Sequence, residues 1–159
     1  MSPIPKVFLR SSAAGFTLVE VLIALVVLAV GMLGIGAMLL NGLQSSRTAL
    51  QRTQAVALAS DLGDRIRANR AAGAAYALTA GTTLSTPAKL CATQCTSAEV
   101  AALDLYRWQQ AVVAALPGAQ TAVVVNPVGA IASNRYTITI TWTQSGDTAA
   151  ASFALTVQA

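Results

Sequence analysis

The sequence predicts an α+β fold in which one long N-terminal helix packs against a small antiparallel β-sheet, with one additional helix in the chain. Three observations in the 159 residues lead to this prediction. An apolar run over 16–40 passes without a proline into an amphipathic segment that reaches about residue 70. A second helical pattern covers 97–116, and from Thr121 the hydrophobic period changes from helical to two, which is typical of strands.

The apolar run is long enough to cross a membrane, and it contains one charge. A 25-residue helix over 16–40 extends roughly 37 Å at about 1.5 Å per residue, whereas a hydrocarbon core is about 30 Å thick. The run also exceeds the roughly 7–15 apolar residues of a secretory signal peptide. Glu20 lies within it, and a carboxylate in such a span costs on the order of 2.5–3.5 kcal/mol. We therefore expect Glu20 to have a cationic partner or a function.

The amphipathic segment over 41–70 continues the same helix. Its larger apolar residues recur at helical spacing and predict one buried face, formed by Leu43, Leu50, Leu58, Leu62 and Ile66. On the opposite face, Asp61 and Arg65 are spaced for an i,i+4 ion pair. We expect the polar face to be solvated and the apolar face to contact the sheet.

The second predicted helix has clear start and stop signals. Thr96 and Glu99 form a capping-box pattern, and Pro117-Gly118 ends the helix. Its apolar side is predicted to carry Val100, Leu103, Trp108, Val112 and Leu116. The preceding stretch, 73–87, reads as an irregular connection with room for one short strand.

The predicted sheet occupies 121–158. Val123 and Val125 begin it, and Asn126-Pro127 with Gly129 indicate a turn. The next strand alternates strictly between an apolar face, Tyr136, Ile138, Ile140 and Trp142, and a face of threonines. After a turn at 144–147, Ala151, Phe153, Leu155 and Val157 alternate with smaller or polar residues, which predicts an antiparallel hairpin.

Composition argues against catalysis and cofactors. The chain has no histidine and two cysteines, so neither a structural zinc site nor a nucleophile activated by histidine can be assembled, and we expect no metal and no cofactor. Asp61 and Asp64 lie on an arginine-rich helix face, which favours a solvated surface over a catalytic pair. The arginines at 65, 67 and 70 lack interleaved aromatic residues, so subunit contact is favoured over nucleic-acid binding.

The aromatic residues and the cysteines have competing interpretations. Tyr106, Trp108, Tyr136 and Trp142 fit core packing better than an adhesive surface, because their spacing places most of them on apolar faces. Cys91 and Cys95 can close a small disulfide loop, or remain reduced thiols in an apolar pocket. Two cysteines after the span favour an oxidising compartment, and hence a periplasmic location, for this part of the chain.

The residues around Glu20 resemble a known processing signal. A short leader with Lys6 and Arg10 precedes Gly15-Phe16-Thr17-Leu18-Val19-Glu20, which resembles the class III signal of type IV pilins and pseudopilins. The resemblance implies cleavage after Gly15, N-methylation of Phe16 and a role for Glu20 in subunit assembly. Hydrolysis there would create an amine about one helical turn from Glu20. An ordinary signal anchor is the alternative.

The resemblance extends further along the chain. The segment 59–70, the cysteine pair before a Trp-Gln-Gln helix and the closing Tyr-x-Ile-x-Ile-x-Trp strand are similar to PilV-type minor pilins. That similarity implies a minor subunit that primes pilus assembly and supports adhesion and twitching motility. The implied partners are prepilin peptidase, other minor pilins, the major pilin, the inner-membrane assembly platform, a tip adhesin, and membrane lipid before assembly.

The same resemblance implies a single-pass inner-membrane protein with a periplasmic C-terminal part that later enters the pilus, at its tip. The expected organisation is a leader over 1–15, a membrane-spanning helix half over 16–40, a periplasmic helix half over 41–70 and a head over 71–159. A minor pseudopilin of a type II secretion system and a signal-anchored periplasmic enzyme are alternatives. A DNA-uptake pilin is less favoured, because loss of Lys6 and Arg10 reduces the net charge from +4 to +2.

Overall fold

The computed structural model describes residues 15–91, 94–128, 133–144 and 149–159. Its elements in chain order are α1 (Leu18–Ala68), a 3-10 helix (Arg70–Tyr76), α2 (Ser97–Ala115), β1 (Gln120–Pro127), β2 (Asn134–Trp142) and β3 (Ala151–Gln158). The predicted α+β class, with a long N-terminal helix and a small antiparallel sheet, is confirmed. The chain forms two compact units, which divide after Gly42, and they are described separately. The expected leader lies outside the described residues, apart from Gly15.

The first unit contains the apolar part of α1. Thr17 caps its start, since the Glu20 main-chain N–H donates to the Thr17 carbonyl oxygen at 3.1 Å and reaches Thr17 Oγ1 at 3.3 Å. The apolar side chains from Leu18 to Leu40 are exposed in this single chain. Within the described residues, α1 is the one helix long and apolar enough to cross a membrane, with a mean hydropathy of 2.8 over its most apolar stretch.

The core of the second unit lies between the last part of α1, α2 and one face of the sheet. Small residues form much of the α1 contribution, because Ala55 and Ala59 are fully buried together with Leu62 and Ile66. The predicted apolar stripe is therefore correct only at its C-terminal end. Leu43 and Leu50 are 52% and 59% exposed, since the core begins to cover α1 only near Ala55.

Gly63 allows the closest approach of α1 to the sheet. A Cβ at this position would lie 3.2 Å from Val157 Cγ1 and 3.7 Å from Leu155 Cδ2, both on β3. The absence of a side chain thus lets the helix backbone pack directly on apolar strand residues.

The sheet has the strand order β1-β2-β3 with both pairs antiparallel. Its inner face carries Tyr136, Ile138, Ile140 and Trp142, all buried as the alternation predicts. The predicted turn at Asn126-Pro127 is wrong, because both residues still pair in β1, opposite Arg135 and Asn134. Pro127 is tolerated at the end of an edge strand, where a missing N–H does little harm. Gly129, and residues 145–147 of the other predicted turn, lie outside the described residues.

The connection after α1 is more ordered than the sequence indicates. It forms the 3-10 helix, with a kink at Gly73, whose φ of +50° is readily available to glycine. The expected short strand is reduced to an isolated bridge between Leu78 and Val123. This bridge places the preceding Tyr76 in the core, where its ring meets that of Tyr136 edge to face.

The predicted capping box at the start of α2 is confirmed. Thr96 accepts from the Glu99 N–H, and the Glu99 carboxylate accepts from the Thr96 N–H at 2.7 Å. The buried face differs from the prediction at one end, because Val100 is half-buried while Ala101 and Leu105 enter the core.

Candidate functional site

Gly15, Phe16 and Glu20 lie at the beginning of α1. Phe16 precedes the first helical residue and its side chain is 82% exposed, while Glu20 occupies the first turn. The four-residue spacing from Phe16 through Glu20 and Ala24 to Leu28 aligns these side chains on one side. With Val21 and Leu25 they line a shallow apolar groove. The structure thus brings Phe16, predicted to be processed, and Glu20, predicted to act in assembly, together in one groove, while Gly15 lies outside its lining.

The Glu20 carboxylate has no ion-pair partner among the residues that the structure describes. In the same residues, the ion pairs all lie in the second unit. A negative side chain in the first turn of a helix is also favoured by the helix dipole. The groove therefore combines an exposed apolar surface with one unpaired acid, which suits a cationic group carried on an apolar segment.

A polar network joins the end of α1 to α2. Arg65 Nε donates to Asp61 at 2.9 Å, which confirms the predicted i,i+4 pair, and Arg65 Nη1 donates to Asp104 at 3.1 Å. The hydrogen bond to Asp61 raises the pKa of Arg65, and the bond to Asp104 contributes in the same direction. Asp104 also accepts from the Tyr76 hydroxyl at 2.9 Å. One partly buried carboxylate therefore links both helices to the intervening connection.

Tyr76 and Asn69 complete this network, and the sequence interpretation did not single them out as structural residues. Burial raises the pKa of the Tyr76 phenol, so it stays a neutral donor. Asn69 Nδ2 donates to the Ser97 carbonyl at 2.8 Å, which ties the end of α1 to the start of α2. A tyrosine in the alanine-rich stretch 71–78 was the available signal for a buried anchor.

The remaining basic cluster is largely satisfied within the chain. Arg67 pairs with Asp64 at 2.8 Å, so both members of the suspected Asp61 and Asp64 pair are engaged by arginines. This arrangement agrees with a solvated charged face. In the described part of the chain, no group of three or more potential ligand residues could hold a metal ion.

Cys91 and Cys95 form a disulfide, with their Cα atoms 5.6 Å apart. The loop that it closes ends immediately before the Thr96 cap. Cys91 has a φ of +54°, a left-handed conformation that is uncommon for residues other than glycine. Lys89, which precedes the disulfide loop, forms an ion pair with the capping-box residue Glu99 at 3.3 Å. Hydrogen bonds from the Thr96 main chain and side chain lower the pKa of Glu99.

The aromatic residues serve mainly as core. Trp108, Tyr136 and Trp142 are buried as predicted, whereas Tyr106 is only half-buried and accepts a hydrogen bond from Thr86 Oγ1 at the surface.

The sequence analysis missed one core residue, Gln109, because its side chain is polar. Its side chain is 5% exposed and bonds to Thr82, Leu84 and Thr121.

The long helix, the small sheet and the apolar groove with Glu20 define a class of protein, a pilin-like structural subunit. Its apolar N-terminal helix fits membrane anchoring. The comparison with family models supports the same class. Residues 10–36 match the prokaryotic N-terminal methylation motif, and residues 37–106 match the model described as type IV pilin Tt1218. The chain belongs to the type IV pilin family. Searches of curated proteins and of solved structures gave no match.

Proposed function

We propose that this pilin is a minor subunit of the PilV type, which is processed by prepilin peptidase and primes pilus assembly. The observation that carries the proposal is Glu20, which lies four residues after Phe16 in an exposed apolar groove and has no ion-pair partner within the described ranges. A major pilin would present the same groove, so the minor role rests on the resemblance of 59–70, the cysteine pair and the last strands to PilV-type chains.

In this proposal, water is added across the Gly15–Phe16 peptide bond. The leader leaves with a new carboxylate on Gly15, and Phe16 keeps a new amine. In N-methylation the deprotonated amine displaces the leaving group of an electrophilic methyl donor, so the donor's bond to the methyl group breaks as the N–C bond forms. Methylation leaves the amine cationic, so the processed terminus carries a positive charge on an apolar helix. The Glu20 groove of a neighbouring subunit has the matching chemistry, an acid bordered by Phe16, Ala24 and Leu28.

Pairing of Glu20 with that amine would determine assembly more than membrane insertion. Inside a bundle with little water, removal of one ion leaves the other buried and uncompensated, which costs about 3–5 kcal/mol. In the membrane before assembly, the same acid lies near one end of the apolar run and close to the headgroups. The proposed partners are other minor pilins, the major pilin and the inner-membrane assembly platform, with a tip adhesin in the finished pilus.

The proposed location follows the same sequence of events. The subunit is stored in the inner membrane with its head in the periplasm, where the Cys91–Cys95 disulfide is stable. It then moves into the pilus, at the tip, where adhesion and twitching motility depend on it.

Substitution of Glu20 tests the proposal. We expect Glu20→Gln to remain in carbonate-washed membranes but to fall at least tenfold in sheared pili, because its neutral amide cannot balance the amine. Glu20→Asp is the matched control, and it should retain a substantial part of the assembly because it keeps the charge. Equal recovery of Glu20→Gln and the unmodified chain in pili would contradict the proposal.

Two further measurements separate the alternatives. Mass spectrometry of the membrane-bound chain should find methylated Phe16 as the first residue, whereas an intact leader would indicate a signal-anchored protein. Deletion of the gene should abolish surface pili and twitching while protein secretion continues. Loss of secretion with normal pili would instead favour a minor pseudopilin of a type II secretion system.

A further inference from the structure

Arg47 and Arg52 lie on α1 shortly after its apolar part ends. They are the charged residues between Glu20 and Asp61, so residues 21–60 carry two positive charges and no negative one. Both side chains are exposed. The ion pairs among the residues that the structure describes involve neither of them. This segment of α1 therefore presents two cations and contains no acid that could balance them.

Arg47 is close to the end of the apolar run. It follows Leu40 within one continuous helix, which corresponds to about 10 Å along the helix axis, and bending of the helix could only shorten this distance. The headgroup layer on each side of a bilayer is about 5–8 Å thick, since the bilayer measures about 40–45 Å and its hydrocarbon core about 30 Å. An arginine side chain can also turn its guanidinium toward this layer. When the run over 16–40 spans a membrane, the Arg47 guanidinium is therefore within reach of lipid phosphates.

Arg52 places a second positive charge on another side of the helix. It follows Arg47 by five residues, which sets the two side chains about 140° apart around the helix axis. It lies about 8 Å further along α1, which is less than the Debye length of about 10 Å at 0.1 M salt. Cations on two sides suit a partner that surrounds the helix, as a headgroup layer does, better than a protein that docks on one side.

We propose that Arg47 and Arg52 bind anionic phospholipid in the leaflet where the apolar part of α1 ends. This inference rests on the storage of the subunit in the membrane that the proposed function includes. The guanidinium groups donate hydrogen bonds to the phosphate oxygens, and the net negative charge of the lipid adds a longer-range attraction. Each arginine near such a surface strengthens the attraction about fivefold. These contacts hold the stored subunit at a set depth, and they break when the subunit leaves the membrane.

Retention of lipid by the full-length chain tests the proposal. The chain is held in a neutral detergent with equal amounts of phosphatidylglycerol and phosphatidylcholine of the same acyl chains, and native mass spectrometry counts the lipids that stay bound. We expect phosphatidylglycerol to be preferred roughly 25-fold, and Arg47→Gln with Arg52→Gln should lose most of this preference. Equal retention of the two lipids by the unmodified chain would overturn the proposal.

A second pair of arginines provides the matched control. Arg107 and Arg135 are exposed, and they belong to none of the ion pairs in the described part of the chain. Arg107→Gln with Arg135→Gln removes the same net charge, and this variant should keep the preference for phosphatidylglycerol. An equal loss in the two double variants would overturn the proposal, because the attraction would then depend on total charge alone.

A fluorophore next to Arg47 tests the contact in a bilayer. Ser46→Cys, labelled with an environment-sensitive dye, should change its emission when phosphatidylglycerol is included in phosphatidylcholine vesicles, and high salt should reduce the change. The same label in the chain with Arg47→Gln and Arg52→Gln should respond little. An equal response of the two labelled chains would contradict the proposal.

Membrane and pilus assays separate this inference from the proposed function. The chain with Arg47→Gln and Arg52→Gln should remain in carbonate-washed membranes, because the run over 16–40 is unchanged, and it should enter sheared pili at least as well as the unmodified chain. If it kept the lipid preference but disappeared from pili, the two arginines would instead bind a protein, and the proposal would be overturned. An unmodified chain that is inserted but has no lipid preference overturns this inference alone, whereas one that washes out of membranes overturns membrane storage as well.

Discussion

The indole Nε1 of Trp108 donates a hydrogen bond to the main-chain carbonyl of Leu58 at 2.8 Å. This bond connects α2 to the α1 backbone within the second unit, and the Trp108 ring is almost fully buried beside it. The same side chain therefore supplies both packing and a directional link between the two helices.

Replacement of this tryptophan should weaken the head without abolishing the fold. Trp108→Phe keeps an aromatic ring but loses the hydrogen bond and part of the buried volume, so we expect a loss of about 1–2 kcal/mol in the free energy of unfolding. Denaturant titration of the chain in detergent measures this loss. Tyr106→Phe on the same helix is the control and should change stability little, since Tyr106 is only half-buried.

The phenol of Tyr76 should make stability fall in alkaline solution. Burial raises its pKa, whereas in the unfolded chain it ionises near pH 10. For a group with a raised folded pKa, the stabilisation is complete below the unfolded pKa and is lost as the pH rises through the folded pKa. Thermal unfolding should therefore show a steeper loss of stability above about pH 10 in the unmodified chain than in Tyr76→Phe. Parallel profiles would contradict this expectation.

The carboxylate of Glu99 should make stability fall in acid. Its pKa is lowered by the Thr96 hydrogen bonds, so its contribution is present above the unfolded pKa of about 4.3 and is lost as the pH falls through the folded value. Glu99→Gln should be less sensitive to pH in this range. Circular dichroism melting between neutral and acidic pH measures the difference, and identical pH dependence of both proteins would count against the capping role.

The buried amide of Gln109 should hold the loop over 79–84 in place. Its Oε1 accepts from the Leu84 N–H at 2.7 Å, and its Nε2 donates to the Thr82 carbonyl at 2.7 Å. Gln109→Ala leaves these groups without partners, and we expect a loss of about 2–3 kcal/mol together with faster proteolysis in this loop. The exposed neighbour Gln110 offers the control Gln110→Ala, which should behave like the unmodified chain.

Removal of the disulfide should lower stability and reveal the conformational cost at Cys91. A loop of this size predicts a loss of about 2 kcal/mol for Cys91→Ser with Cys95→Ser. Because Cys91 has a left-handed backbone, Cys91→Gly with Cys95→Ser should be more stable than the serine pair by up to about 1 kcal/mol. Equal melting temperatures of the two double variants would contradict this ranking.

The strands were predictable because their signal is local. Strict alternation from Tyr136 to Trp142 needs only the sequence, and a start signal such as Thr96 with Glu99 acts within one helical turn. The contact of α1 with the head was not predictable in the same way. Leu62 and Ile66 contribute to the core as predicted, but Leu43 and Leu50 do not. Ala55, Ala59 and Gly63 form the rest of the contact, because small residues permit close packing and give almost no hydropathy signal.

In the candidate site, too, local relationships between residues were predictable and long-range contacts were not. The grouping of Phe16 and Glu20 follows from four-residue helical spacing, so the sequence was sufficient to place them together. The network of Asp104, Tyr76 and Asn69 joins residues far apart in the chain, and no local pattern indicates such a meeting. Which molecule pairs with Glu20 depends on a second chain, and the proposed experiments address that directly.

The close approach at Gly63 has a mechanical consequence. Gly63 places only a hydrogen atom between the α1 backbone and the side chains of Leu155 and Val157, so α1 and β3 are in direct contact at this point. A force applied along the part of α1 that belongs to the second unit is therefore transmitted to β3 by direct contact. This helix segment and the sheet then move together.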